Sequence, residues 1–298
     1  MLDVLSIGIS QALLLLPAVL CFAAGYRLLG FPDLTVDGSF GVGGAVFAVC
    51  MTRNQPVAVA LSAGAAAGFC AGAATGIIHT RLGVNPFLSG IIVVAMLYSV
   101  TLHVMGGSNV SLLGLPSPLD GALRWLGFGD ALVGLAVVAF LMLAGANLSL
   151  QSSWGIRMRA VGSNPDMANG LGISRELVLP VGLGCTNALA AVAGCFMVDR
   201  QNFADVSSGQ GMVLTALAAY AIGERILSSR TISFPTFVLG ASVIGTTLYF
   251  VLWSIALRLG VPATDLKLTT GLIVLLVIVT RRQNSSLSAL TNDITGRG

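Results

Sequence analysis

The chain has 298 residues, of which 55% are hydrophobic and only 9% charged, with a net charge of +3 and a mean hydropathy of +0.91. Soluble domains carry about 25% charged residues, so a soluble globular chain is excluded, as are disordered and disulfide-rich secreted ones. So small a positive charge gives nucleic acid no footing, and an integral membrane protein is what remains.

Roughly 20 apolar residues cross a bilayer. Apolar windows lie near residues 4–25, 36–51, 56–78, 86–106, 130–149, 176–198, 206–224, 231–256 and 265–281. Backbone polar groups cannot be left open in lipid, so each crossing is expected to be helical. The predicted fold is all-α, a polytopic transmembrane helix bundle of about nine segments, eight to ten at the limits. Residues 1–282 form the membrane domain, with a long polar loop at 151–175, and 283–298 a polar cytoplasmic tail. Segments 36–51 and 206–224 are short, and each either spans or re-enters.

No Lys or Arg precedes Arg27, so the charged start of a signal peptide is missing and the first run is expected to be a retained span. Arginines set the orientation. If the 151–175 loop and Arg281-Arg282 are cytoplasmic, alternation puts ten of the fifteen basic residues inside. That obeys the positive-inside rule and predicts the N-terminus outside and the C-terminus inside.

Asp33 and Asp37 open the second segment. Each is either a helix cap or a pathway contact, because polar groups within membrane spans are costly and mark function by default. Gly64, Gly68, Gly72 and Gly76 recur every fourth residue in the third segment, forming a groove for close backbone approach, either static packing or a moving seam. Asn85 opens the fourth with Ser89 one turn on. The outer loop 107–129 carries Asp120 and Arg124, with Asp130 at its end, and Trp125 suits a short interfacial helix. Asn187 sits mid-span, either bonding across helices or lining the pathway. Phe31-Pro32-Asp33-Leu34-Thr35-Val36 returns as Phe203-Ala204-Asp205-Val206-Ser207-Ser208, a candidate inverted repeat whose short, Gly-rich copies would flank a binding region.

The five cysteines form no C-x-x-C pair, and His79 and His103 lack a partner at i+4, so no metal site is expected. His79 reads as an interfacial loop residue and His103 as an interior one. Glu224-Arg225 reads as a solvated helix end. No catalytic set emerges: the sole lysine, Lys267, lies outside any G-x-x-x-x-G-K-[ST] motif.

The loop from Trp154 to Ile173 reads as a short surface helix. Asn164 can cap it, Pro165 suits its first position, Asp166 complements its dipole, and Gly170 or Gly172 can end it. Here Arg159-Ala160-Val161-Gly162-Ser163-Asn164, with Pro165, Asp166, Ala168 and Gly172-Ile173, resembles the coupling loop of ABC-importer permeases of the branched-chain amino-acid and ribose type. Asp33 to Gly38 resembles the D-L-S-V-G stretch of the sugar branch, and Ala190 to Gly194 the small-residue span after the coupling loop. The sequence departs from both branches at Asp37, where they read Gly or His. The sub-group it most resembles is that of tryptophan/tyrosine-type permeases.

The resemblance implies a bacterial inner-membrane permease subunit that moves a small polar solute, an amino acid first and a sugar or nucleoside second. A gradient-driven carrier or channel is the alternative. It implies a second permease copy, ATPase subunits that bind ATP and Mg while this chain binds no cofactor, and an extracytoplasmic binding protein. Coupling would fall to Arg159, Gly162, Asn164, Pro165, Asp166, Ala168 and Gly172. Asp33, Asp37, Asn85, Ser89, Asn187 and Asp205 are the pathway candidates, and Asp120, Arg124 and Asp130 those for binding-protein docking. Gly162→Arg or Asp166→Arg would be expected to uncouple the transporter without unfolding it.

Overall fold

A computed structural model describes residues 2–114, 117, 121, 131–227, 233–262, 265, 268, 270–272 and 275. Its elements are α1 (Leu2–Leu28), α2 (Thr35–Thr52), α3 (Val57–Leu82), α4 (Pro86–Met105), β1 (Asn109–Ser111), α5 (Ala131–Gln151), α6 (Ser153–Ser163), α7 (Pro165–Gly170), α8 (Arg175–Gln201), β2 (Phe203–Asp205), α9 (Met212–Ile226) and α10 (Phe234–Arg258). Among the described residues, α1 to α5, α8 and α10 are seven helices long and apolar enough to cross a membrane. The window at 206–224 resolves into the turns after β2 and the 15-residue α9, too short for a full apolar crossing. The 265–281 window, the predicted helix near Trp125 and the 283–298 tail lie almost wholly outside the described residues.

Local chemistry fixes the helix ends. Asn85 caps α4, its side chain accepting from Phe87 N at 3.0 Å with Pro86 in the first turn. Gly83 and Gly106 close α3 and α4 in the left-handed conformation, at φ 67° and 69°.

Small residues then set how the helices pack. A Cβ on Gly64 would strike Cys195 Sγ, one on Gly68 would strike Ala191, one on Gly72 the Leu183 carbonyl and one on Gly76 Pro180. The whole glycine stripe of α3 is therefore spent on antiparallel contact with α8. Without a hydrophobic drive between helices in lipid, such backbone approach is what holds them together.

The repeat is real and inverted. From Leu2 to Arg175, Thr35 to Met212 and Val57 to Phe234, equivalent helices start 173, 177 and 177 residues apart. α1 meets α10 through Gly8 and Val251 at one end and Arg27 and Phe237 at the other, antiparallel, as α3 meets α8. α2 runs alongside α8, with Ser39 beside Asn187 and Gly44 beside Val198. α9 runs with α1, its Glu224 pairing with Arg27. Both Asx turns recur: Asp33 accepts from Thr35 N and Asp205 from Ser207 N, each at 2.8 Å. β2 pairs antiparallel with β1, Asn109 opposite Asp205, at the end of the bundle remote from α6 and α7.

Gly72→Val places side-chain atoms on the Leu183 carbonyl and should destabilise the chain by about 1–3 kcal/mol. Gly145→Val on α5, where an added Cβ meets nothing within 4 Å, should leave the melting temperature in detergent near that of the unsubstituted chain. Equal melting of the two variants would contradict this packing.

Candidate functional site

α7 is a six-residue helix delimited by its own caps. Asn164 ends α6, donating its N–H to Ala160 O at 3.0 Å, and begins α7, its Oδ1 accepting from Met167 N at 3.0 Å. Pro165 follows at the first helical position, and Gly172, at φ 76°, turns the chain back towards α8. Gly170 stays helical, so of the two candidates Gly172 supplies the left-handed residue.

One side of α7 is anchored and the other is free. Ala168 is 1% exposed and joins a core of Leu28, Leu29, Phe31, Val161, Val178 and Leu183. Asp166 and Asn169 are exposed, and Met167 and Leu171 remain 65% and 67% exposed. Two large apolar side chains left in the open beside a carboxylate and an amide form a surface suited to another protein.

Immediately before α7, Gly162 lies against the end of α1. A Cβ there would collide with the Leu28 carbonyl oxygen, and Gly30, at φ 60°, faces the Gly162 carbonyl. The expectation for Gly162→Arg therefore needs correcting: no side chain fits, so that variant would disrupt the packing rather than report on coupling alone. Arg159, from the same motif, stacks on Phe234 with its guanidinium carbon 5.1 Å from the ring centroid.

Past Gly162 the chain leads inward through residues 29–34 to a buried polar knot. Asp33 Oδ2 accepts from Asn187 Nδ2 at 2.5 Å, while Asn187 Oδ1 accepts from Ser39 Oγ at 2.7 Å. Thr35 and Thr75 hydroxyls bond at 2.6 Å beside them. Asp33 is 2% exposed and Asn187 is fully enclosed, and Asn187 bonds across helices to Ser39 and to the connector before α2. A buried carboxylate needs such donors, since desolvating it unpaired is costly.

The remaining pathway candidates separate. Asp37 accepts from Gly211 N at 3.0 Å and Val213 N at 2.7 Å, capping α9 from across the repeat. A Cβ on Gly209 would meet the Asp37 carbonyl, so the turn before α9 packs directly on the first turn of α2. Asp205 accepts from both the N–H and the hydroxyl of Ser207 at the sheet end. Ser89 is enclosed and donates to Asn85 O at 3.0 Å. Asp120, Arg124 and Asp130 lie outside the described residues.

Three features were missed by sequence reasoning. His79 is a junction: Nδ1–H donates to Val84 O at 2.6 Å, Nε2 accepts from Arg175 Nη2 at 2.8 Å, and Phe31 meets the ring edge-on. It lines a polar cavity of about 460 Å³ with Asn169 of α7 and Glu176 of α8. Glu224, expected to be solvated, pairs with Arg27. His103 is exposed and bonds only within its own helix, to Ser99 O at 2.7 Å, where an interior position was expected. Among the described residues no His, Cys, Asp and Glu cluster could hold a metal ion.

An inverted-repeat helical bundle with a capped helix projecting from one end defines a membrane permease. The chain belongs to the family described as the branched-chain amino acid transport system permease component, whose model matches residues 4–280. It is 31% identical to the tyrosine transport system permease protein of Clostridioides difficile over 93% of this chain and 91% of that one. It is 32% identical to the uncharacterized protein RP368 of Rickettsia prowazekii over 91% and 95%. It is 26% identical to the ribose import permease protein RbsC of Escherichia coli over 72% and 67%. No solved structure matches.

A double-mutant cycle of Asp33→Ala and Asn187→Ala should show non-additivity of about 0.5–3 kcal/mol in chemical unfolding. Asp33→Ala with Asp205→Ala, at separate sites, should be additive. Additivity of the first pair would contradict the polar knot.

Proposed function

We propose that this chain is the permease subunit of an ATP-binding-cassette importer and that α7 is the helix on which the ATPase acts. The observation that carries the reading is the two-sided character of α7, anchored through Ala168 and exposing Asp166, Met167, Asn169 and Leu171. An ATPase pushing on that face would move α6 and α7 together, and Gly162 would pass the displacement to the end of α1. In this reading the α6–α7 end is cytoplasmic, the β1–β2 end faces outward, and the membrane is a bacterial inner membrane.

The chain supplies the route and the ATPase supplies hydrolysis, with ATP and Mg bound on that partner. An extracytoplasmic binding protein would deliver solute at the sheet end, and a second permease copy would complete the pathway. Asp37, half-buried where the N-termini of α2 and α9 meet, and Asp205 are the polar candidates we place beside that pathway. Asp33, Ser89 and Asn187 we assign to holding the bundle.

An amino acid is the solute class we infer, because the tyrosine permease relative matches over nearly the whole length of both chains. A sugar is the second reading, carried by the ribose permease relative at lower identity and coverage.

The test is ATP hydrolysis by the full transporter in proteoliposomes with loaded binding protein. Asp166→Arg reverses the charge on an exposed side chain, so the permease should keep its melting temperature while stimulated hydrolysis falls to the unstimulated rate. Asn164→Ala should cost about 1 kcal/mol through loss of a cap and weaken stimulation partially. Full stimulation in the Asp166→Arg protein, or transport by the permease alone, would overturn the proposal. Loading the binding protein with tyrosine or ribose in turn distinguishes the two solute classes.

A further inference from the structure

A second cavity, of about 350 Å³, lies beside α6 between the two repeats. Its walls come from Leu20 of α1, Met142 and Gly145 of α5, Trp154 of α6, Leu189 of α8 and Leu239 of α10. The lining is overwhelmingly apolar and offers no charged side chain to orient a polar solute. α5 leaves the opening: only 17% of its apolar window is buried, an added Cβ on Gly145 would meet nothing within 4 Å, and Phe140, Leu141 and Leu148 are exposed. The groove thus sits on a helix whose other faces are apolar and unpacked, within spans whose surrounding medium is a bilayer.

A cation stands beside it. Arg159 follows Met158, a residue of the groove wall, and its guanidinium stacks on Phe234, one helical turn before Val238 and Leu239 of the same wall; Arg157, on the other side of Met158 in the chain, is exposed. The Nε of Arg159 is buried without a hydrogen-bond partner. Basic groups beside a cleft between membrane helices are the usual seat of an anionic headgroup, and a guanidinium matches phosphate oxygens with paired donors.

We propose that this groove binds an anionic phospholipid, one acyl chain lying along Leu20, Met142 and Leu239 and the phosphate meeting Arg157 and Arg159. The lipid packs directly on α6, the helix that carries α7, so its occupancy stiffens the base of the projecting helix. This assignment is independent of the proposed coupling role, since its readout needs neither ATPase nor solute.

The test uses the full chain with Trp125→Phe and Trp253→Phe, leaving Trp154, a wall residue, as the fluorophore. It is reconstituted in vesicles of phosphatidylcholine with a minor fraction of phosphatidylglycerol, the bromine carried on the acyl chains of one or the other. Brominated phosphatidylglycerol should quench Trp154 beyond its share of the bilayer. Gly145→Phe, which fills the groove, should abolish the excess, and Arg157→Gln should reduce it towards that of brominated phosphatidylcholine. Native mass spectrometry of the unsubstituted chain should find retained phosphatidylglycerol, a result that does not depend on any variant folding. Quenching that follows mole fraction for both headgroups means ordinary surrounding lipid and overturns the proposal. Insensitivity of Trp154 to either brominated lipid means that protein closes the groove, and overturns it equally.

Discussion

The contact on which this structure turns is that of Gly162 with the end of α1. Backbone meets backbone there, with no side chain to flex, and Gly30 completes the fit with a positive φ of 60°. Close-packed interiors transmit displacement because they have no slack to absorb it. α7 is seated on this junction through Ala168, so in the proposed reading a push on its exposed face would reach α1 and the connector after it. Five residues past the α1 end, Asp33 is tied to Asn187 in the body of α8. The projecting helix and the bundle interior are therefore joined by a short, stiff path.

The inverted repeat explains where that path arrives. α2 and α9 start near one another and run in opposite directions, and Asp37 of the first copy caps the helix of the second. Meeting helix N-termini concentrate unpaired N–H groups, which lipid cannot satisfy; a carboxylate from the opposite repeat does so. The pseudo-symmetry is also broken in a useful way. Only the connection between the copies carries α6 and α7, so one end of the bundle has a handle and the other has the small β1–β2 sheet.

Much of this was legible in the sequence because it is local chemistry. Asn164, Pro165, Asp166 and Gly172 announced a capped helix, and it formed between those signals. Asp33 and Asp205 announced a repeat because each makes the same two-residue turn. What remained hidden were contacts between residues far apart in the chain: Arg27 with Glu224, His79 with Arg175, and Gly162 with Leu28. A glycine in a surface loop gives no local sign that a distant carbonyl fills its space. His103 was misplaced for a related reason, since an apolar run does not say which face of a helix is covered. The apolar window at 206–224 ran beyond α9 because the turn residues before it, 206–211, carry no charge.

The most direct measurement is a photocrosslink in the intact transporter, with a photoreactive side chain at position 167 on α7 or at position 113 beside β1, where Leu113 is 83% exposed. The account predicts that the probe at 167 joins the permease to the ATPase subunit and that the probe at 113 does not. A crosslink to the ATPase from 113 and none from 167 would contradict it.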